Sequence, residues 1–334
     1  MGLAYNGIKV LPDVVDGLAI GGQKVGGLYL GGALVCRRPV TGWDWTIRNS
    51  AGNYSWRSVA AGNGKIVAVT TGYVMMSADG GRTWKLIEVS GAWQSVCFGN
   101  GQFVAVAWGG GVNTVMTSPD GETWTIRAAI NNYWRSVCWG NGLYVAVADS
   151  GTGNRVMTSP DGVAWTVRTS AANNSWMSVC YGNGLYVATA TTGTGNRVMT
   201  SPDGITWTIR TSAANNSWNS VCYGNGLYVA VSYDGTGNRV MTSPDGIVWT
   251  ARVSAADNGW LGVAYGNGLY VAVANSGTGN RVMTSPDAVA WTTRKSAADN
   301  TWQAICYTDD MFAAVAATGT GNRVMTSGSL QMAA

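Results

Sequence analysis

A tryptophan that recurs along the chain at intervals of 39 to 42 residues is the strongest constraint on the fold. Six of its seven copies close a turn that reads Ser-Pro-Asp-Gly-x-x-Trp, altered to Ser-Ala-Asp-Gly-Gly-x-x-Trp at 77–84 and carrying Ala288 in place of glycine at 285–291. Internal similarity at a period near 40 residues is typical of β-propellers, in which each repeat forms one blade. The repeated residues are Trp45, Trp84, Trp124, Trp165, Trp207, Trp249 and Trp291.

One repeat has room for four short strands. In the copy that starts at residue 176, runs rich in Val, Tyr, Trp and Thr occupy 176–181, 185–189, 197–201 and 207–210. Gly, Asn, Asp or Pro bounds each run, which predicts β-strands joined by turns. The Asn-Gly dipeptide between the first two runs predicts a tight hairpin. No segment shows the apolar spacing of a helix.

The sequence therefore predicts an all-β chain that forms a seven-bladed β-propeller of four-stranded antiparallel blades. The first repeat begins at its fourth strand, 45–48, and the last ends after its third strand, 323–327. We expect these two segments to pair and close the ring, because each blade can bury its faces only against its neighbours. The predicted organisation is a Gly-rich, β-like segment at 1–40, the propeller at 41–327 and a tail at 328–334.

The repeated turn resembles the Asp box, or BNR repeat, of sialidase-like propellers. In that family the box joins the third and fourth strands and lies away from the ligand face. The resemblance therefore implies a structural role for its Asp and Trp residues.

The N-terminal run from Val25 to Val35, which contains Leu-Tyr-Leu-Gly-Gly, resembles attachment elements of phage tail and fibre proteins. That resemblance implies contacts with phage tail proteins through residues 1–40. It also implies a location in a virion tail, assembled in the bacterial cytoplasm. We find no secretory signal peptide in this segment.

Composition excludes several classes of function. The chain has no histidine and only two glutamates, Glu88 and Glu122, so we expect no enzymatic activity, no metal site and no cofactor. A formal charge of +4 without basic clusters argues against nucleic-acid binding, and no apolar run is long enough for membrane insertion. Five cysteines share one position of the first strand in successive repeats. Because that spacing is too wide for disulfides, we expect free thiols at Cys97, Cys138, Cys180, Cys222 and Cys306.

Chain direction places the loop between the second and third strands beside the loop that enters the next repeat. We call the side that carries both loops the upper face, and the side with the Asn-Gly and Ser-Pro-Asp turns the lower face. The upper-face loops read Gly-Thr-Gly-Asn-Arg and Ala-Ala-Asn-Asn-Ser-Trp, residue types that can bond hydroxyls and stack on sugars. The same residues could instead pack between blades and bind loop carbonyls.

The candidate ligand-binding residues are Asn154, Arg155, Asn174, Trp176, Asn196, Arg197, Asn216, Trp218, Asn238, Arg239, Trp260, Asn280 and Arg281. They favour a non-catalytic recognition propeller that binds a bacterial surface saccharide or another host receptor as part of a phage tail or a similar assembly. The first alternative is a scaffold or assembly-factor propeller that binds a protein partner. A sialidase-like glycosidase is the second alternative, although such enzymes need paired carboxylates that the upper face does not offer.

Overall fold

The computed structural model describes residues 41–109, 111–308 and 311–328, together with the backbone of strands within 3–37 and at 331–332. Every regular element of these residues is a β-strand. No helix in the described part of the chain is long and apolar enough to cross a membrane.

Five four-stranded antiparallel sheets follow the repeats of the sequence. In each sheet the strands lie in chain order, and the sheet formed by the chain ends takes its fourth strand from the first repeat. Their strands are Trp134–Gly140, Leu143–Ala148, Val156–Ser159 and Thr166–Arg168; Trp176–Gly182, Leu185–Ala190, Val198–Ser201 and Thr208–Arg210; Trp218–Gly224, Leu227–Ser232, Val240–Ser243 and Thr250–Arg252; Trp260–Gly266, Leu269–Ala274, Val282–Ser285 and Thr292–Arg294; and Trp302–Thr308, Met311–Ala316, Val324–Ser327 and Thr46–Arg48.

The turns within a sheet form where the sequence predicts them. Asn183 and Gly184 have φ angles of 46° and 78°, which is the left-handed backbone of a tight two-residue hairpin. The first strand is bulged between Trp176 and Ser178, and this bulge recurs in the other four-stranded sheets. The sequence pattern therefore predicts both the strands and the hairpin between them.

The prediction of seven four-stranded blades is wrong, because residues 41–327 form six sheets in the ring. The sixth sheet has six strands and contains the strands of two repeats. Its first repeat has Thr-Gly-Tyr instead of the Gly-Thr-Gly-Asn-Arg loop, and the next junction lacks the Asn-Asn-Ser segment. Two strands consequently continue through these connections, and each of them pairs with a strand on both sides. The strands are Ser58–Gly62, Lys65–Ser77, Lys85–Gly99, Gln102–Ala107, Val115–Ser118 and Thr125–Arg127.

The predicted closure of the ring is confirmed. Thr46–Arg48 pairs antiparallel with the last strand of the ring, with Met325 opposite Ile47. Two further bonds fasten the ends, because Gly42 N donates to Ser327 Oγ at 2.7 Å and Ser50 N donates to Gly321 O at 2.9 Å.

The core lies between neighbouring sheets. Alternate residues of the second strand, such as Val187 and Ala188, face opposite sides of the sheet and are both fully buried. The tryptophan that begins each first strand is also fully buried, and a methionine of the third strand, such as Met199, packs beside it. Each sheet therefore depends on both neighbours to cover its faces.

The terminal segments contribute strands outside the ring. One sheet contains Leu3–Tyr5, Ile8–Val10, Gly27–Leu30, Ala33–Arg37 and Gln331–Met332, and a second contains Ala19–Ile20 and Gln23–Lys24. The chain ends meet again here, because Gln331 lies opposite Arg37. The predicted attachment role of residues 1–40 concerns side chains outside the described residues and stays a prediction.

Truncation after Asn322 removes the last strand of the ring and should destabilise the whole propeller, because Thr46–Arg48 loses its partner. We expect the midpoint of thermal unfolding, followed by near-ultraviolet circular dichroism, to fall by about 10 °C or more. Truncation after Gly328 is the matched control and should leave the midpoint of ring unfolding nearly unchanged. Equal midpoints for the two truncated proteins would show that closure contributes little.

Candidate binding face

The Ser-Pro-Asp turn of the lower face is held by its own side chains. Asp203 Oδ1 accepts the backbone N–H groups of Ile205 and Thr206, each at 2.8 Å. The indole of Trp207 donates from Nε1 to Gly204 O at 3.0 Å and is only 8% exposed. The carboxylate and the indole are therefore both engaged within the turn.

These bonds stabilise the ionised form of the turn aspartates. Backbone N–H groups of Thr123 and Glu122 donate to Asp120 and lower its pKa to about 2. Bonds of the same kind lower the pKa of the corresponding carboxyls, which are Asp161, Asp203, Asp245 and Asp287.

On the upper face, the arginine of each Gly-Thr-Gly-Asn-Arg loop binds the carbonyls of its own loop. Arg197 donates from Nε to Gly193 O and from Nη1 to Thr191 O, each at 2.7 Å. The same two bonds occur at Arg155, Arg239, Arg281 and Arg323. The guanidinium therefore fixes the path of the loop.

The predicted asparagines connect the two upper-face loops. Asn174, which is 7% exposed, donates from Nδ2 to Asn196 O at 2.7 Å. Asn216, which is 8% exposed, donates to Asn238 O at 3.0 Å. Asn154 and Asn280 accept the equivalent bonds from Asn132 and Asn258.

The predicted tryptophans lie beneath these loops. Trp176, Trp218 and Trp260 are fully buried and donate from Nε1 to the carbonyl four residues earlier, at 3.0 to 3.1 Å. Their rings have no exposed face on which a sugar could stack. The structure thus brings the thirteen candidate residues into one repeated loop network, and their role in ligand binding stays a prediction.

Three exposed aromatic residues of the upper face were missed in the sequence. Trp108, Tyr133 and Tyr233 are 42%, 44% and 51% exposed. Tyr133 precedes a first strand, whereas for Trp108 and Tyr233 the signal was a position that changes from repeat to repeat while its neighbours are kept, namely the residue after the second strand. This position holds Thr71, Trp108, Asp149, Thr191, Tyr233, Asn275 and Ala317.

Two described carboxylates are paired with basic side chains. Glu122 is 2.6 Å from Lys85 and 3.6 Å from Lys65, whereas Asp149 is paired with Arg135 at 2.6 Å. No group of three or more His, Cys, Asp or Glu side chains in the described part of the chain could hold a metal ion.

The five described cysteines are free, as predicted. Cys138 packs against the core of the next sheet. Burial raises the pKa of Cys222 and Cys306 to about 12, so these thiols stay protonated near neutral pH.

The fold defines the chain as a β-propeller. It is similar to YCF48 bound to a D1 peptide, with a TM-score of 0.65 and 14% identity over 86% of this chain and 95% of that one. The chain is also similar to YCF48 from Cyanidioschyzon merolae, with a TM-score of 0.64 and 15% identity over 85% of this chain and 98% of that one. A third similar structure is a catalytically inactive virginiamycin B lyase from Staphylococcus aureus, solved with quinupristin. Its TM-score is 0.73 and its identity 10%, over 87% of this chain and all of that one.

No protein-family model matches the sequence, and no curated protein matches it. At 10 to 15% identity, the structural similarity establishes the fold alone.

The turn aspartates should make stability sensitive to acid. Because the folded pKa of Asp120 is about 2 and an unfolded aspartate titrates near about 3.9, its contribution is complete above about pH 4 and is lost as the pH falls towards 2. We expect the free energy of unfolding, measured in urea, to decrease over this window. In Asp120→Asn the decrease should be shallower, and parallel curves for the two proteins would contradict this account.

Arg239→Ala should destabilise the protein more than Arg252→Ala. Arg239 donates to two loop carbonyls at 2.7 and 2.8 Å, whereas Arg252 at the outer strand edge bonds a threonine hydroxyl at 2.9 Å. We expect a loss of about 1.5–3 kcal/mol in the free energy of unfolding for the loop variant. Equal losses in urea titrations of the two variants would show that the loop bonds do not anchor the upper face.

Proposed function

We propose that this chain is a non-catalytic scaffold propeller that binds a protein partner on its upper face. The observation that carries the proposal is the contrast between fixed and varied positions on that face. The Arg and Asn side chains recur and bind other loop atoms. The residue after the second strand changes from Trp108 to Asp149 to Thr191 in successive repeats.

A rigid frame that presents different side chains at equivalent points suits recognition of an irregular surface such as a protein. Aromatic and arginine side chains carry much of the energy of protein interfaces. Trp108, Tyr133 and Arg135 provide these residue types close to one another. The structure of YCF48 bound to a D1 peptide supports the proposal by analogy of fold.

The absence of histidine from the sequence supports a non-catalytic role. The virginiamycin B lyase that shares the fold is described as catalytically inactive when one of its histidines is replaced by alanine. Glycoside hydrolysis would need two nearby carboxylates, and the described acids of the upper face are paired with arginine or bonded to loop backbone, as in Asp149 and Asp257.

We further propose that the Ser-Pro-Asp turn is an Asp box with a structural role. Its carboxylate and indole bonds are complete within the turn, as Asp203 and Trp207 show. The box lies on the lower face, so the proposed partner would not contact it.

A host saccharide is the second candidate ligand, with the chain as part of a phage tail attached through residues 1–40. The exposed rings of Trp108 and Tyr133 favour it, because aromatic faces can stack on sugars. A saccharide array measures binding, and chromogenic glycosides measure hydrolysis. Saccharide binding without glycoside hydrolysis would favour the saccharide-binding phage-tail protein, and hydrolysis would indicate a glycosidase.

The proposal is tested by blocking one face at a time. Peptides would first be selected from a display library of random 12-residue sequences. In a Cys36→Ser background, Thr194→Cys on the upper face and Val163→Cys on the lower face would each be labelled with a bulky polyethylene glycol maleimide. Both positions are exposed, whereas burial raises the pKa of each of the five described native thiols.

We expect the upper-face label to abolish binding of the selected peptides and the lower-face label to leave it unchanged. Loss of binding with the lower-face label alone would contradict the assignment of the face. Failure to select any peptide would contradict protein binding itself.

A further inference from the structure

Two loops of neighbouring sheets bring an aromatic pair together on the upper face. Gly109 N donates to Asn132 O at 3.1 Å, and Ala129 N donates to Val112 O at 2.7 Å, so Gly109 and Val112 lie beside the segment 129–132. Trp108 and Tyr133 are held with ring centroids 4.6 Å apart. The pair therefore bridges two sheets of the ring.

Two more exposed apolar side chains lie on the loops that carry the pair. Val112 and Ile130, on the same two loops, are 62% and 38% exposed. With Trp108 and Tyr133 they form what we call the aromatic patch. Exposed apolar groups that lie together on a soluble surface mark interaction sites more often than isolated ones do.

An arginine supports the patch without giving it a net charge. The guanidinium of Arg135 lies 5.3 Å from the centre of the Trp108 ring. Its Nε and Nη2 atoms both lie 2.6 Å from Oδ2 of Asp149. The positive charge is thus balanced within the protein, and the exposed side of the patch is apolar and uncharged.

Other junctions between neighbouring repeats lack this arrangement. The positions of Trp108 and Tyr133 are taken elsewhere by smaller or more polar pairs, and only Tyr233 beside Gly259 keeps one aromatic ring. The equivalent pairs are Thr71 and Ala92, Asp149 and Ser175, Thr191 and Ser217, Tyr233 and Gly259, Asn275 and Thr301, and Ala317 and Ser55. The loops at these junctions form without an aromatic pair.

We propose that the aromatic patch binds an uncharged, apolar peptide segment of the protein partner. This inference rests on the proposed function and locates its binding site. Charge complementarity favours such a segment, because a charged one would find no unpaired opposite charge at Arg135 or Asp149. Nε and Nη2 of Arg135, which could otherwise bond saccharide hydroxyls, are already engaged by Asp149.

Substitutions taken from other repeats provide a test that spares the fold. Trp108→Thr introduces the residue found at 191, and Tyr133→Ser introduces the residue found at 175. Tyr233→Thr is the matched control, because it removes an equally exposed upper-face ring outside the patch. Thermal melts of all three variants would establish that they are folded.

The probes are the peptides selected from the random 12-residue library with the unmodified protein. We expect them to be rich in apolar residues and low in charge. Their affinity, measured by fluorescence anisotropy, should fall about 30-fold in Trp108→Thr and in Tyr133→Ser and less than about twofold in Tyr233→Thr.

Three results would overturn the inference. Peptides that bind all three variants equally would leave protein binding intact and remove the patch as its site. Selected peptides that are highly charged would contradict an apolar segment. Saccharide binding that depends on Trp108, without any selected peptide, would overturn the peptide proposal and the proposed function together.

Discussion

The structure depends on the burial of both faces of each sheet against its neighbours. No sheet of this ring could cover itself, so the first and last repeats have to share a sheet. The Tyr186 hydroxyl illustrates the coupling, because it donates to the carbonyl of Gly140 in the preceding sheet. Gly140 has no space for a side chain, since a Cβ there would lie 2.1 Å from the ring of Tyr181. Packing between sheets thereby fixes both the tyrosines and the glycines of the repeat.

The same constraint explains why most polar residues of the upper face are used internally. A loop that leaves a closely packed sheet must satisfy its backbone groups within a short distance. Arg197 and Asn174 donate hydrogen bonds to loop carbonyls, and Asn215 accepts a hydrogen bond from the N–H of Gly195. The repetition of these residues therefore reflects a requirement of the loop. The few exposed positions that the loop does not need are free to differ between repeats.

The sequence predicted the strands, the turns and the closing pair, because period and turn chemistry are local properties. The number of sheets was not predictable in this way. The number of sheets depends on backbone pairing across the short connections near Thr71 and Ala92. Counting repeats in the sequence does not reveal this pairing. The site was predictable only in part, because an asparagine or arginine has the same chemistry whether it faces a ligand or a loop carbonyl. The burial of Trp176 decides its availability, and burial follows from the assembled ring.

The hydrogen-bonded loop backbone of the upper face does not depend on the side chain at the position after the second strand. The exposed position after the second strand contributes its backbone N–H to the frame, as Thr191 does to Ser175 O, whatever its side chain. Trp108 makes the same backbone bond to Ala92 O. A change from threonine to tryptophan at this point therefore alters the surface without removing a framework bond. A nearly uniform ring can in this way carry one distinctive patch at the junction of two sheets, which distinguishes one sector of the ring from the others.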